Sequence, residues 1–230
     1  MRDRPPIPAR PAPRRATVAV DVATLSPRDE ALAVLLVPAP RGARERWCLP
    51  WDGVRTSEAV DAAGRRIASA LLGASPTFVE QVGALSEGRH PAAAELSIGV
   101  VALSPRGAAA PVAGSAAAWF PVDALPPLAP RHRAVVDLAV LAVRQRMDQA
   151  PIAFGLLPVA FTLGELQDIY ELLLGRRLHK ASFRRALQAS HLVQPTDVWR
   201  SEGRGRPAQL FRFAPKKRRG PQRGVRFDLP

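Results

Sequence analysis

The side chains with the most definite chemical use lie at 180–188 and 204–206. In KASFRRALQA, Lys180, Ser182, Arg184, Arg185 and Gln188 share one stretch with Phe183 and Leu187. Phe183 and Leu187 are four apart, so on a helix they take one face, and Ala181 and Arg185 fall near the other. An arginine fork matches the O6/N7 edge of guanine, and a glutamine amide matches adenine. Further on, SEGRGRPA sets Arg204 and Arg206 between glycines. Arginines at the tip of a ribbon can reach phosphates or a narrow minor groove. An ordinary amphipathic helix with a solvated basic face uses the same residues. The order helix, turn, basic helix, basic ribbon favours a duplex-reading arrangement.

The neighbouring sequence supplies the frame. Thr162 with Glu165 three residues on is a capping box, and Leu163, Leu166, Ile169, Tyr170, Leu173 and Leu174 follow at helical spacing. Gly175 ends that helix and RRLHK is the turn. A second helix is predicted over 180–189, a strand from His191, and a closing strand over QLFRF. PIAFGLLPVA, between prolines, is too apolar to stay in water and is expected to pack at a domain junction. A winged helix-turn-helix is therefore predicted over 151–214, with a flexible basic tail over 215–230.

Upstream, 1–16 is rich in proline and arginine and reads as a flexible lead-in, followed by a domain over 17–150. TVAVDVATLS and ALAVLLVPA are strand-like and separated by SPRDE. WCLP, TFVEQVGAL, ELSIGVVALS and AWF add strands. Residues 57–73 form a helix capped by Ser57 and ended by Gly73, and Pro130–Ala150 a longer one. The fold class is α+β, a mixed sheet with helices followed by the winged helix.

Charge agrees with a polyanion partner. Residues 151–230 hold 15 Lys/Arg and 6 Asp/Glu, hence +9 of the net +13. The single cysteine excludes an internal disulfide framework and a cysteine zinc cluster, and fits a reducing cytoplasm. The four histidines show no metal-ligand spacing, and His90 and His132 read as surface residues beside loops. No apolar run is long enough to span a membrane. Cys48, within an apolar run, reads as a small buried hydrophobe.

FTLGELQDIYELLLGRRLHKASFRRAL, with PIAFGLLP before it and GRGRPAQLFRF after it, resembles the C-terminal half of the Nudix-related transcriptional regulators of NAD metabolism, the NrtR family. The resemblance implies a Nudix-like sensor domain ahead of the winged helix. It also implies a dimeric repressor of NAD-metabolism genes on a palindromic operator, with ADP-ribose or a related nucleotide as effector and no required cofactor. Laid on this chain, the Nudix signature keeps Glu58, Arg66 and Gly73. Asp52 stands at the first glycine, and Ile67, Ala70 and Leu71 stand where active hydrolases carry glutamates. Those glutamates hold the magnesium that activates water, so no hydrolase activity and no bound metal are expected. Arg55, Glu58 and Arg66 are the candidate ligand-binding residues, with a structural Glu58–Arg66 salt bridge as the favoured plainer role. Trp47, Trp51 and Trp119 could stack a base, although core packing suits Trp47 and Trp119 better. The competing readings are a Nudix-type nucleoside-diphosphate pyrophosphatase with an accessory basic domain, and an RNA-binding or scaffold protein that uses its basic tail.

Overall fold

A computed structural model describes residues 16–107, 111–201, 207–215 and 223–225. β1 (Val18–Arg28) and β2 (Ala31–Pro38) form an antiparallel hairpin at the heart of a seven-stranded sheet. β3 (Trp47–Cys48) and β7 (Ala118–Pro121) pair with β2, and β4 (Trp51–Asp52) pairs with β1. β6 (Leu96–Leu103) lies parallel to β1, and β5 (Phe78–Leu85) closes the edge. β1 and β6 are nearly continuous in Val, Leu and Ala because both faces are covered.

The two faces can be read off the alternation along the strands. Val20, Val22, Leu35, Val100 and Ala102 turn toward α1 (Val60–Leu72) and meet Ala63, Ile67, Ala68 and Leu72. Ala23, Leu25, Val34, Leu36, Val101 and Leu103 turn the other way, toward Val135, Val136, Ala139 and Val143 of α2 (Pro130–Arg146).

That second core does not stop at the sheet domain. It continues through a 3₁₀ turn, Ile152–Leu156, into Phe161, Leu166, Ile169, Tyr170, Leu173, Phe183 and Leu187. The apolar connector therefore packs at the junction, as its composition requires. Beyond it come β8 (Ala160–Phe161), α3 (Leu163–Leu174), α4 (Lys180–Ser190), β9 (Val193–Arg200) and β10 (Ala208–Phe213). β8 pairs with β10, so the expected two-stranded ribbon is a three-stranded sheet. Two residues are too short a run to announce a strand in sequence.

Two local readings are corrected. Ser57 does not cap α1. Its φ is +59°, and Ala59 takes the N-cap without a side-chain bond. The loop before the helix is held by side chains described below. Residues 223–225, assigned from the sequence to a flexible tail, instead enter the core. Val225 is fully buried, and Tyr170 is hydrogen bonded to its backbone. A Cβ on Gly224 would overlap the Met147 carbonyl oxygen, so only glycine fits against that backbone. Gly224→Ala is expected to destabilise the protein by about 1–3 kcal/mol, as overpacking against rigid atoms does. Urea titration of the full chain against wild type measures it.

Candidate nucleic-acid interface

α4 separates its residues as its spacing predicts. Phe183 and Leu187 are buried, and Phe183 meets the Tyr170 ring edge-on at 5.7 Å. Lys180, Ser182, Arg184, Arg185 and Gln188 are all exposed, and among the described residues their side chains make no hydrogen bond or ion pair. Five donor-rich side chains thus stand together on one helix. Arg204 and Arg206 lie outside the described residues.

The frame that presents this helix is polar and specific. The capping box is present: Glu165 N–H donates to Thr162 Oγ1 (3.1 Å), and Thr162 N–H donates to Glu165 Oε2 (2.6 Å). The same carboxylate receives both terminal nitrogens of Arg200 at 3.0 and 2.8 Å, which pins β9 to the start of α3. Burial alone would raise the Glu165 pKa, but the bonds from Arg200 and Thr162 hold it below the ordinary value.

Glu171 does the equivalent at the other end of α3. It is 8% exposed and accepts from Gln167 Nε2 (2.8 Å), Leu178 N–H (2.9 Å) and Arg177 (2.8 Å). Burial pushes its pKa up, and these three donors outweigh that and bring it down. The turn into α4 is therefore organised around one carboxylate. Sequence reading passed over Glu171 and Arg200. An acid set inside an apolar stripe was the available signal for the first, and nothing local marks the second.

In the sheet domain the three candidate ligand residues divide. Arg66 gives Glu58 a bidentate pair (2.8 and 2.9 Å), reaches Asp52 at 2.6 Å and donates to the Gly53 carbonyl. Glu58 also accepts from Arg55 N–H at 2.9 Å. Hydrogen bonding by Arg66 lowers the Glu58 pKa to about 2 and raises that of Arg66. Glu58 and Arg66 thus spend their donors and acceptors tying loop 52–58 to α1, which is the structural pairing expected of them. The Arg55 guanidinium is exposed and has no hydrogen-bond partner among the described residues. Trp119 is covered by Arg28 at 4.5 Å, and Trp47 packs edge-on to Phe120, whereas Trp51 stays 37% exposed. Burial lifts the Cys48 thiol to about 11, in keeping with a packed hydrophobe.

His90 and His132 are not surface residues. Both are buried and converge with Asp21, an ion-sized cluster by its distances. His132 Nδ1 accepts the Leu49 N–H (3.0 Å), and His90 Nδ1 accepts those of Ala92 and Ala94. Neutral rings that accept at Nδ1 carry their proton on Nε2. His90 Nε2 donates to Asp21 Oδ1 at 3.0 Å, and His132 Nε2 lies 3.5 Å from the same oxygen. No lone pair of either ring faces the centre, so the donor set does not suit a cation. It suits a buried carboxylate anchored by two imidazoles. Beside it, Arg131 of α2 donates to the carbonyls of Ser86, Glu87, Gly88 and Ala94 and fixes loop 86–94. In the sequence His90 stands 69 positions after Asp21 and His132 another 42 on, with no spacing to connect them.

The family of the reading domain follows from comparison with known proteins. Residues 153–213 match the model of the NrtR DNA-binding winged helix domain. Residues 153–213 are thus similar to the DNA-binding winged helix domain of NrtR proteins. The ADPR responsive transcriptional repressor NtrR of Acinetobacter baylyi is 40% identical over 83 residues, 36% of this chain and 33% of that protein. The match thus spans about a third of that relative. Among solved structures, Shewanella oneidensis NrtR gives a TM-score of 0.76 at 25% identity, covering 92% of this chain and 99% of the other. The same protein in complex with a 27mer DNA gives 0.75 at 27% identity, covering 86% and 94%. A MutT/nudix family protein from Enterococcus faecalis, 18% identical, shares the fold with a TM-score of 0.68 over 87% and 89% of the two chains. The NrtR-type architecture, a Nudix-like sheet domain with a C-terminal winged helix, is therefore that of this chain.

Burial alone would raise the Asp21 pKa, but hydrogen bonds from His132 and His90 carry it well below the carboxylate range. A carboxylate depressed in the folded state stabilises the fold above its unfolded value of about 3.9, and that contribution drains away as pH falls below it. Asp21→Asn is expected to cost about 1–3 kcal/mol at pH 7 and to flatten the loss of stability below pH 4. Urea unfolding at a series of pH values reads both; an unchanged acid slope refutes the anchor.

Proposed function

We propose that this chain is a DNA-binding transcriptional repressor that responds to ADP-ribose or a related NAD-derived nucleotide. One observation carries the reading: α4 presents Lys180, Ser182, Arg184, Arg185 and Gln188 exposed and uncommitted, on a helix-turn-helix whose turn and wing are fastened by Glu171 and Glu165. The DNA complex of Shewanella oneidensis NrtR and the name of the Acinetobacter baylyi repressor support it. In this reading Arg184, Arg185 and Gln188 meet base edges, while Lys180, Ser182, Arg204 and Arg206 meet phosphates or the minor groove. Two copies related by a two-fold axis read a palindrome in the cytoplasm, with half-sites one helical turn or a multiple apart. The regulated genes belong to NAD metabolism. A nucleotide that binds better to the arrangement unsuited to the operator releases it, by an amount set by that difference in affinity.

The sheet domain works here as a sensor without hydrolysis. Ile67 is buried among Val20, Val22 and Val100, Ala70 and Leu71 offer no oxygen, and Glu58 is held by Arg66. These residues do not fit a magnesium site, which needs several carboxylates on one helix face. Arg55 and Trp51 remain as the groups able to meet a diphosphate and a base.

Selection from a random duplex pool, with and without ADP-ribose, tests the reading. A palindrome recovered only without the nucleotide is the expected result; no enrichment over a scrambled pool rejects it. Arg185→Ala is expected to relax preference at one base pair by about 1–3 kcal/mol. Lys180→Ala should weaken all duplexes alike and reduce the salt slope by about one unit. Incubation of the pure protein with ADP-ribose and Mg²⁺ should yield no AMP. Steady turnover there would restore the pyrophosphatase reading.

A further inference from the structure

A polar clasp crosses from the sheet domain to the reading domain at the C-terminal end of α3. Arg144, in the last turn of α2, donates from Nε to the Leu173 carbonyl at 3.3 Å. Its guanidinium also lies against Gly175, where a Cβ would come within 2.5 Å of an Arg144 nitrogen. Gly175 has φ +69°, the left-handed conformation that favours glycine. A guanidinium at this end of a helix meets the negative pole of the backbone dipoles.

The two ends of this contact lead to different places. On one side, Gly175 opens the turn that Glu171 holds through Leu178 and Arg177, and α4 starts two residues after Leu178. On the other side, α2 is fastened to the sheet domain along its length. His132 joins Leu49 and Asp21, Arg131 joins loop 86–94, and Arg146 pairs with Glu80. Next to the clasp, a cleft of about 590 Å³ lies between the β1–β2 turn, at Asp29 and Glu30, and Asp168 and Arg176 of the reading domain.

We infer that Arg144 is a positioning residue through which α2 sets the pose of the recognition helix. The inference rests on the regulatory reading above and names the route by which the sheet domain acts on DNA binding. A rigid helix fixed at one end to the Asp21 cluster and at the other to the turn before α4 transmits a shift rather than absorbing it.

Arg144→Ala and Arg144→Lys in the full chain test this by two measurements. The first is amide hydrogen exchange of the free protein, which needs neither DNA nor nucleotide. Arg144→Ala should speed exchange over 175–180 by about tenfold with the sheet amides unchanged, and Arg144→Lys, which can still donate to Leu173, should recover part of the protection. The second is affinity for duplexes recovered by the selection, with and without ADP-ribose. In Arg144→Ala the nucleotide-induced change in duplex affinity should fall by about threefold or more, while nucleotide affinity of the DNA-free protein stays constant. Unchanged exchange, or an undiminished nucleotide response, overturns the inference. If wild type binds duplex but ignores ADP-ribose, the readout is duplex affinity itself, which Arg144→Ala must weaken by about threefold. A wild-type protein that binds no duplex sinks the functional reading instead, and exchange alone then decides whether the clasp holds the turn.

Discussion

The continuous apolar core is the constraint on which the rest depends. It begins on the α2 face of the sheet at Leu25, Val34 and Leu103, passes through Val136, Val143 and Met147, and ends at Phe161, Tyr170 and Phe183. Each fully buried side chain of this size is worth roughly 1.5–3 kcal/mol. Neither half could expose its share to water at that rate, so the sheet domain and the winged helix are held as neighbours by burial. The 3₁₀ turn and Val225 complete the same core, which is why a connector and a remnant of the tail are as dry as the strands.

Against that apolar background, the buried charges stand where position matters. Asp21 fixes two loops and the start of α2, Arg131 holds the loop beside it, and Glu171 holds the turn before α4. Arg131 and Glu171 are surrounded by partners, as the cost of burying a charge demands, and Asp21 meets both imidazoles through Oδ1. Such groups add little net stability over apolar replacements, but each admits one arrangement of its donors. For α4, which is held in one pose by such groups, that selectivity is the useful product. The loop before α1 shows the same selectivity: Arg66 and Glu58 brace loop 52–58 against the helix.

Much of this was legible in the chain before any coordinates. Helical periodicity located α3 and α4, Thr162 and Glu165 announced their cap, Gly175 announced the end, and the spacing of Phe183 and Leu187 told which side of α4 would face out. These signals are local: a cap, a turn residue or a 3.6-residue period is complete within a few positions. The exposure of Arg184, Arg185 and Gln188 followed for the same reason.

Tertiary structure decided the rest. Asp21, His90 and His132 come from a strand, a loop and a helix, and only folding brings them together. Arg200 finds Glu165 across 35 positions, and Arg144 finds Leu173 across 29. Ser57 does not take its expected cap: its φ is +59°, and the adjoining Glu58 is tied to Arg66. The sequence by itself determined where the basic helix lies and which of its residues are buried, because backbone periodicity is a local property. What aims that helix was decided by hydrogen bonds between distant side chains, whose partners no periodicity can name.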